Sequence, residues 1–487
     1  MELSSKIKAL LNAPVTIVPL VYFRIGFGLL LLIEGIRYFH RGWFHDYWIK
    51  PEFLFGYEGF EWLPRFSPEM TTLLYASMGL LLLFVILGIF YRISASLFFL
   101  GNAYFFLLDK TTYMNHYYLF VILSFLMIFL PAHKLFSLDS LFKRVKKEHY
   151  VPGWTLLLLQ FQVAIVYIYG GIAKINADWL QGQPMNKWLS YKGELPFVGS
   201  FAEEKWLAYL FSYGGLLFDL MIVPFLLFKK TRWFALAAMI GFHLMNSQMF
   251  RIGMFPWVMI TLTMIFFPPE KFQEIAAKFV SAFKVSKNHI RTQSFQPSKL
   301  VYIGLAGFVA FQLLMPLRHH LYSGDPSWTE QGHFFSWRMM LRDKKTGGTI
   351  NVTDKDTNQI LESIDFTDYI TVNQKNVLLR RPDMVLQFCK YLDQKYRAEG
   401  THKNYEIKTL FMSSLNGREE QLMIDPNLDL AKIDYSWQQK SWIIPMKTPL
   451  YGAAPIDVLP IKSKELSIED LLSSTKNPTF GVTKNGG

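Results

Sequence analysis

Long apolar runs constrain this chain more than any other feature. Nine stand out, at about Val15–Tyr38, Thr71–Phe90, Ile93–Leu108, Tyr117–Pro131, Trp154–Lys174, Trp206–Phe228, Trp233–Phe250, Ile252–Pro268 and Ser298–Leu317. A helix needs about twenty mainly apolar residues to cross a bilayer, and it satisfies its backbone polar groups internally. The third and fourth runs are short by that measure. The sequence is 51% apolar and 18% charged, with mean hydropathy +0.18. That excludes a disordered or collagenous chain, and the single cysteine, Cys389, excludes a disulfide scaffold. The expected fold class is an α-helical polytopic membrane domain of about nine transmembrane helices, residues 1–317. The first run follows Lys6 and Lys8, is too long for a signal core and reads as a retained membrane helix.

With the N-terminus inside, the inner loops hold about twice as many Lys and Arg as the outer ones. Nine crossings then place everything after Leu317 outside. The net charge of +12 fits basic membrane loops, so no nucleic-acid partner is expected. Beyond Arg318 the texture changes. Thr349–Thr353, Ile360–Asp365, Tyr369–Asn373 and Glu406–Leu415 alternate with period two, as half-buried strands do. Pro382 to Ala398 reads as a helix, with Pro382 in its first turn, an apolar stripe from Met384 to Leu392 and Gly400 past its end. This predicts a β-rich extramembrane domain over 318–461 and a polar tail over 462–487.

Ionisable groups inside spans are costly and mark function by default. Lys174 ends the fifth run in Tyr-Gly-Gly-Ile-Ala-Lys-Ile-Asn-Ala-Asp-Trp. It is either a snorkelling interfacial lysine or a desolvated amine able to act as a base; Gly170 and Gly171 before it signal close packing. His116 follows Asn115 at the junction of the third and fourth runs. There it is interfacial or part of a site. His243 and Asn246 share a helix face, as a structural pair between helices or as ligand contacts. All fall toward one leaflet, where they can converge. There is no HExxH, zinc spacing or phosphate-binding Gly loop, and no metal is expected.

At these residues the sequence resembles the vitamin K-dependent gamma-glutamyl carboxylases. The likeness runs through Tyr91-Arg92-Ile93-Ser94, Leu-Leu-Asp-Lys-Thr-x-x-x-Asn-His ending at His116, and Gly171–Trp179. It continues in Phe-His-x-x-Asn-Ser-Gln-x-Phe-x-Ile-Gly-Met-Phe over 242–255, and in Ser-Trp-x-Met-Met within Trp328–Met340. It implies an enzyme that uses reduced vitamin K (hydroquinone), O2 and CO2. Peptide-bound glutamate becomes gamma-carboxyglutamate, and the quinol becomes its 2,3-epoxide. Lys174 matches the family's catalytic lysine. His116 and Asn115 match a pair that polarises the quinone oxygens, with His243, Asn246 and Met340 as further cofactor contacts. Trp328, His333, Ser336, Trp337 and Arg342 fall on the strip that meets the glutamyl substrate, and His319 lies near a family histidine implicated in activity. Arg342 would pair with the substrate carboxylate, and Trp328 and Trp337 read equally as core. The partners implied are a glutamate-containing peptide or protein and membrane lipid.

There are departures. Ala173 stands where animal members have a second lysine, and His333 where they have a tyrosine. One cysteine cannot form their interdomain disulfide, and the chain is shorter. These differences imply a prokaryotic-type member in its inner or plasma membrane. Two alternatives stand: a quinol epoxidase of the same fold with weak or no carboxylation, and a non-enzymatic lipid- or quinone-binding membrane protein.

Overall fold

A computed structural model describes residues 2–194, 198–250, 252–267, 295–401 and 403–450. The basic loop carrying Lys271, Lys278, Lys284, Lys287 and Arg291, and the tail from Lys462, lie outside the described residues. The helical part comprises α1 (Glu2–Asn12), α2 (Val18–His40), α3 (Pro68–Leu87), α4 (Tyr91–Leu108), α5 (Asn115–Phe129), α6 (Trp154–Ala173), α7 (Lys205–Leu227), α8 (Arg232–Met249), α9 (Phe255–Thr263) and α10 (Lys299–Leu314).

Among the described residues, six helices are long and apolar enough to cross a membrane: α2, α3, α4, α6, α7 and α10 with its continuation to Leu321. The expected count of nine is therefore not reached by these criteria. Asn115–Phe129 and Phe255–Phe266 are apolar but shorter. The span expected over Trp233–Phe250 forms a helix of 18 residues, but Arg232, His243, Asn246 and Gln248 dilute its apolarity. Local chemistry sets the boundaries. Ser67 caps α3 by accepting from Met70 N, Pro68 opens it, and Gly88 closes it at φ +66°. Asp139 caps α4 from a short helix, Leu138–Leu141, accepting from Phe90 N and Tyr91 N at 3.0 Å each.

The later region holds an antiparallel sheet in the order β4-β3-β5-β6. Its strands are β3 (Lys344–Asp354), β4 (Ile360–Ser363), β5 (Tyr405–Leu415) and β6 (Gln421–Leu422); Pro14–Thr16 and Tyr150–Pro152 supply the β1–β2 pair. β3 and β5 pair from Lys344↔Leu415 to Asp354↔Tyr405. Gly348 is obligatory there, since a Cβ would lie 2.6 Å from the Phe411 ring. Tyr369–Asn373 is not a strand. Thr371 forms a capping box with Gln374 and starts helix α11 (Val372–Leu378), a local signal that outweighs the alternation. The next helix, α12 (Pro382–Glu399), matches its expected start and stop, with Gly400 at φ +67°. Its Val385, Phe388, Cys389 and Leu392 pack with Ile350, Val352, Ile407 and Phe411 in the sheet-side core.

Buried polar contacts join the two parts. Lys110 pairs with Asp383 at 2.9 Å. Gln374 donates to Asp109 at 3.1 Å. Arg418 grips Asp178 bidentately at 2.6 and 2.7 Å, and Asn416 donates to the same carboxylate at 2.8 Å. Burial pushes Asp109 up to about 6. Burial also pushes Asp383 upward, but Lys110, Arg381 and Lys440 outweigh it and hold that carboxyl well below the usual range.

Candidate active site

A cavity of about 850 Å³ lies where α5–α8 meet the segment before β3. Lys174 lines it. It caps the C-terminus of α6, and its Nζ donates to Asp219 Oδ2 at 2.6 Å and to Gly170 O at 3.2 Å. Both side chains of the pair are buried. The glycines before the lysine let α7 approach. A Cβ on Gly171 would lie 2.6 Å from Leu220 Cδ2, and one on Gly170 would lie 3.2 Å from Asp219 Oδ2. The Lys174 ammonium lies 5.3 Å over the Trp179 ring, which is fixed by its indole N–H donating to Ser212 O at 2.7 Å.

Two histidines face the same space. His116 is buried, and its Nε2 has no hydrogen-bond partner. Gly253, at φ +61°, passes close by: a Cβ there would lie 3.6 Å from His116 Nε2 and from Arg37 Nη2. His243 Nε2 shares a hydrogen bond with Tyr167 OH at 2.8 Å, and its Nδ1 is unpartnered. Asn115 accepts from Tyr113 OH at 3.1 Å, and Tyr113 OH accepts from Phe335 N at 2.8 Å. Next to His116, Tyr117 donates to Glu34 at 3.0 Å on the wall of a second, more apolar cavity of about 580 Å³.

The expected residues divide. Lys174, His116, Asn115, His243, Asn246 and Met340 all line the main cavity, as do His333 and Arg342. Trp328, Ser336, Trp337 and His319 do not line it. Trp328 fills the sheet-side core and donates to Ile444 O at 2.8 Å. Trp337 is fully buried in the membrane-side core with its ring 5.0 Å from that of Tyr118. Ser336 donates to His333 O at 2.5 Å, closing a turn. His319 shares a hydrogen bond with Pro316 O at 2.8 Å and packs on Gly332.

Arg342 has an internal partner, which sequence pattern cannot reveal. Glu330 contacts Arg342 Nη1 and also holds Arg381 at 3.0 Å and Lys344 at 3.5 Å. Burial pulls Lys344 down to about 8 despite Glu330. His333, buried with Arg342, Arg381, Arg338 and Lys344 around it, is held well below the ordinary histidine range. Phe335, Trp337 and Met340 have φ of +60°, +56° and +55°, so the strip is locally strained beside the cavity.

Sequence reasoning missed Asp219, Tyr167 and Arg338. Asp219 carried a usable signal as the one acid in the apolar helix α7. Among the described residues no cluster of three or more His, Cys, Asp or Glu could hold a metal ion.

No solved structure matches the chain. The HTTM domain model matches residues 12–270, more than half of the sequence, and the vitamin K-dependent gamma-carboxylase lumenal domain model matches residues 297–449. Together with the apolar helices and the cavity between the two matched regions, these place the protein in a membrane, and the chain belongs to the vitamin K-dependent gamma-glutamyl carboxylase family.

Proposed function

We propose that the protein is a membrane gamma-glutamyl carboxylase. It couples oxygenation of vitamin K hydroquinone to its 2,3-epoxide with removal of a glutamyl γ-proton and addition of CO2. The observation that carries this reading is the buried Lys174–Asp219 pair on the wall of an apolar cavity. The residues fit a quinol. The volume, about 850 Å³, suits a small-molecule site, and the unpartnered His116 Nε2 and His243 Nδ1 offer polar contacts within aromatic walls. Oxygenation of the quinol supplies a base strong enough for a γ-proton that no side chain can remove.

The chain's own residues do the rest. Lys174 Nζ takes a hydroxyl proton from the quinol while handing one of its own to Asp219 Oδ2, 2.6 Å away. The pair ends as an ammonium and a neutral acid, with the new negative charge beside the ammonium, so charge balances. His116 and His243 orient the ring, with Tyr167 fixing the second imidazole. Trp179, Phe255 and Met339 line the space and exclude water that would quench the base. The excess of Lys and Arg in alternate loops supports a cytoplasmic N-terminus.

The test is a paired assay in nanodiscs with vitamin K hydroquinone, O2, labelled bicarbonate and a Glu-rich peptide. Epoxide and labelled peptide are expected, both falling about 10²- to 10⁴-fold in Lys174→Ala. Epoxide without label would leave an oxygenase with another target. Neither product from folded protein would overturn the reading.

A further inference from the structure

The cavity wall is lopsided in charge. Six cationic residues line it, Lys110, Lys174, Arg338, Arg342, Arg380 and Arg381, against one acid, Asp219. Four of the cations have internal partners. Lys174 has Asp219 at 2.6 Å and Lys110 has Asp383 at 2.9 Å. Arg381 has Glu330 at 3.0 Å, and Arg342 contacts the same carboxylate. The side chains of Arg338 and Arg380 form no ion pair or hydrogen bond among the described residues, and Arg338 Nε is buried without an acceptor. The strongest acidic influence on Arg338 is Asp325, whose carboxylate already accepts from Ser327 N at 2.7 Å.

We infer that Arg338 binds the carboxylate of the reacting glutamate and that Arg380 binds an acidic neighbour in the peptide. The inference rests on the carboxylase reading. A guanidinium's planar fork matches a carboxylate bidentately, and a half-buried one without an anion gains most from an incoming one. Placement supports the roles. Arg338 is anchored between Trp337, locked in the core, and Met339, whose Cε approaches Gly170 one helical turn before Lys174. Arg380 is exposed at the rim, on the turn between α11 and α12. The preferred substrate is therefore a peptide with two adjacent acidic side chains.

The experiment uses full-length protein in nanodiscs with fluorescent peptides containing Glu-Glu, Glu-Gln or Gln-Gln. Both peptide Kd and labelled-CO2 incorporation are read. Arg338→Ala should weaken Glu-Glu binding about tenfold to a hundredfold, and Arg338→Lys should recover part of it. Arg380→Ala should abolish the preference for Glu-Glu over Glu-Gln and leave Glu-Gln binding unchanged. A structural role would not depend on peptide charge, and thermal unfolding checks the fold of each variant. Wild-type carboxylation with unchanged Kd and KM in Arg338→Ala and Arg338→Lys would overturn the inference and keep the carboxylase reading. Charge-dependent binding that Arg338→Ala removes, without any carboxylation, would support the clamp and overturn that reading. Failure of the wild type to bind any acidic peptide would overturn the clamp.

Discussion

Asp219 and Lys205 are the only charged side chains in α7, and Asp219 meets Lys174 at 2.6 Å. Asp219→Asn keeps the shape and a hydrogen-bond acceptor for the ammonium but removes the proton's destination. Quinol oxidation is expected to fall about 10²- to 10⁴-fold with expression intact. Initial rates in nanodiscs check this, and a variant keeping half the wild-type rate would sink the dyad. Lys344 makes a different prediction. Its folded pKa of about 8 lies below the ordinary lysine value of about 10.4, so the unfolded chain binds more protons between the two. The penalty for burying its charge is full below pH 8 and lifts as pH rises toward 10. Thermal unfolding of the wild type relative to Lys344→Met should therefore gain with pH across that window. At this scale Lys174 was legible, since a lysine after two glycines at the end of an apolar run is conspicuous. Asp219 was passed over inside its run because its partner lies 45 residues away. Arg338 occupies the unspecified place in Ser-Trp-x-Met-Met, where a resemblance gives no information.

The crossing of α6 and α7 sets the distance between lysine and acid. Gly171→Ala would force its Cβ into Leu220 Cδ2 and Cγ, at 2.6 and 2.8 Å, and overpacking of this kind costs about 1–3 kcal/mol. Gly170→Ala meets only Met339 Cε at 3.1 Å and Asp219 Oδ2 at 3.2 Å. It should lower turnover more than stability, because the Asp219 carboxylate is one of the two side-chain ends that must shift. Melting temperatures and initial rates of the two variants side by side test this ordering. Among elements, α12 was readable end to end, because Pro382 and Gly400 bracket its stripe. The strand expected at Tyr369–Asn373 failed because a Thr-x-x-Gln box speaks for a helix start more directly than a few alternating residues speak for a strand. Nine apolar runs could be read, but α8 shows why a count of spans could not. The polar groups that build the site also lower the hydropathy by which spans are recognised.

Across the whole molecule, the cavity belongs to neither half. Arg418 and Asp178 clasp the sheet to the short helix after Lys174, Ala177–Leu180, with side chains 9% and 10% exposed. Removing one member of so buried a pair strands the other. Arg418→Met is expected to cost about 3–5 kcal/mol, while Arg418→Met with Asp178→Leu should recover much of it. Denaturant melts of the four proteins in the cycle would show the coupling, and strictly additive losses would refute it. No sequence pattern pairs residues 240 positions apart, so this clasp emerges only from the fold.

The clasp also orders events in the life of the chain. Lys174 and Asp178 leave the ribosome together, but Arg418 follows long after α10 has been made. The clasp forms only when β5 and the turn after it arrive. A product released before that point would carry the buried Lys174–Asp219 pair but not the contact that ties the segment after Lys174 to the sheet.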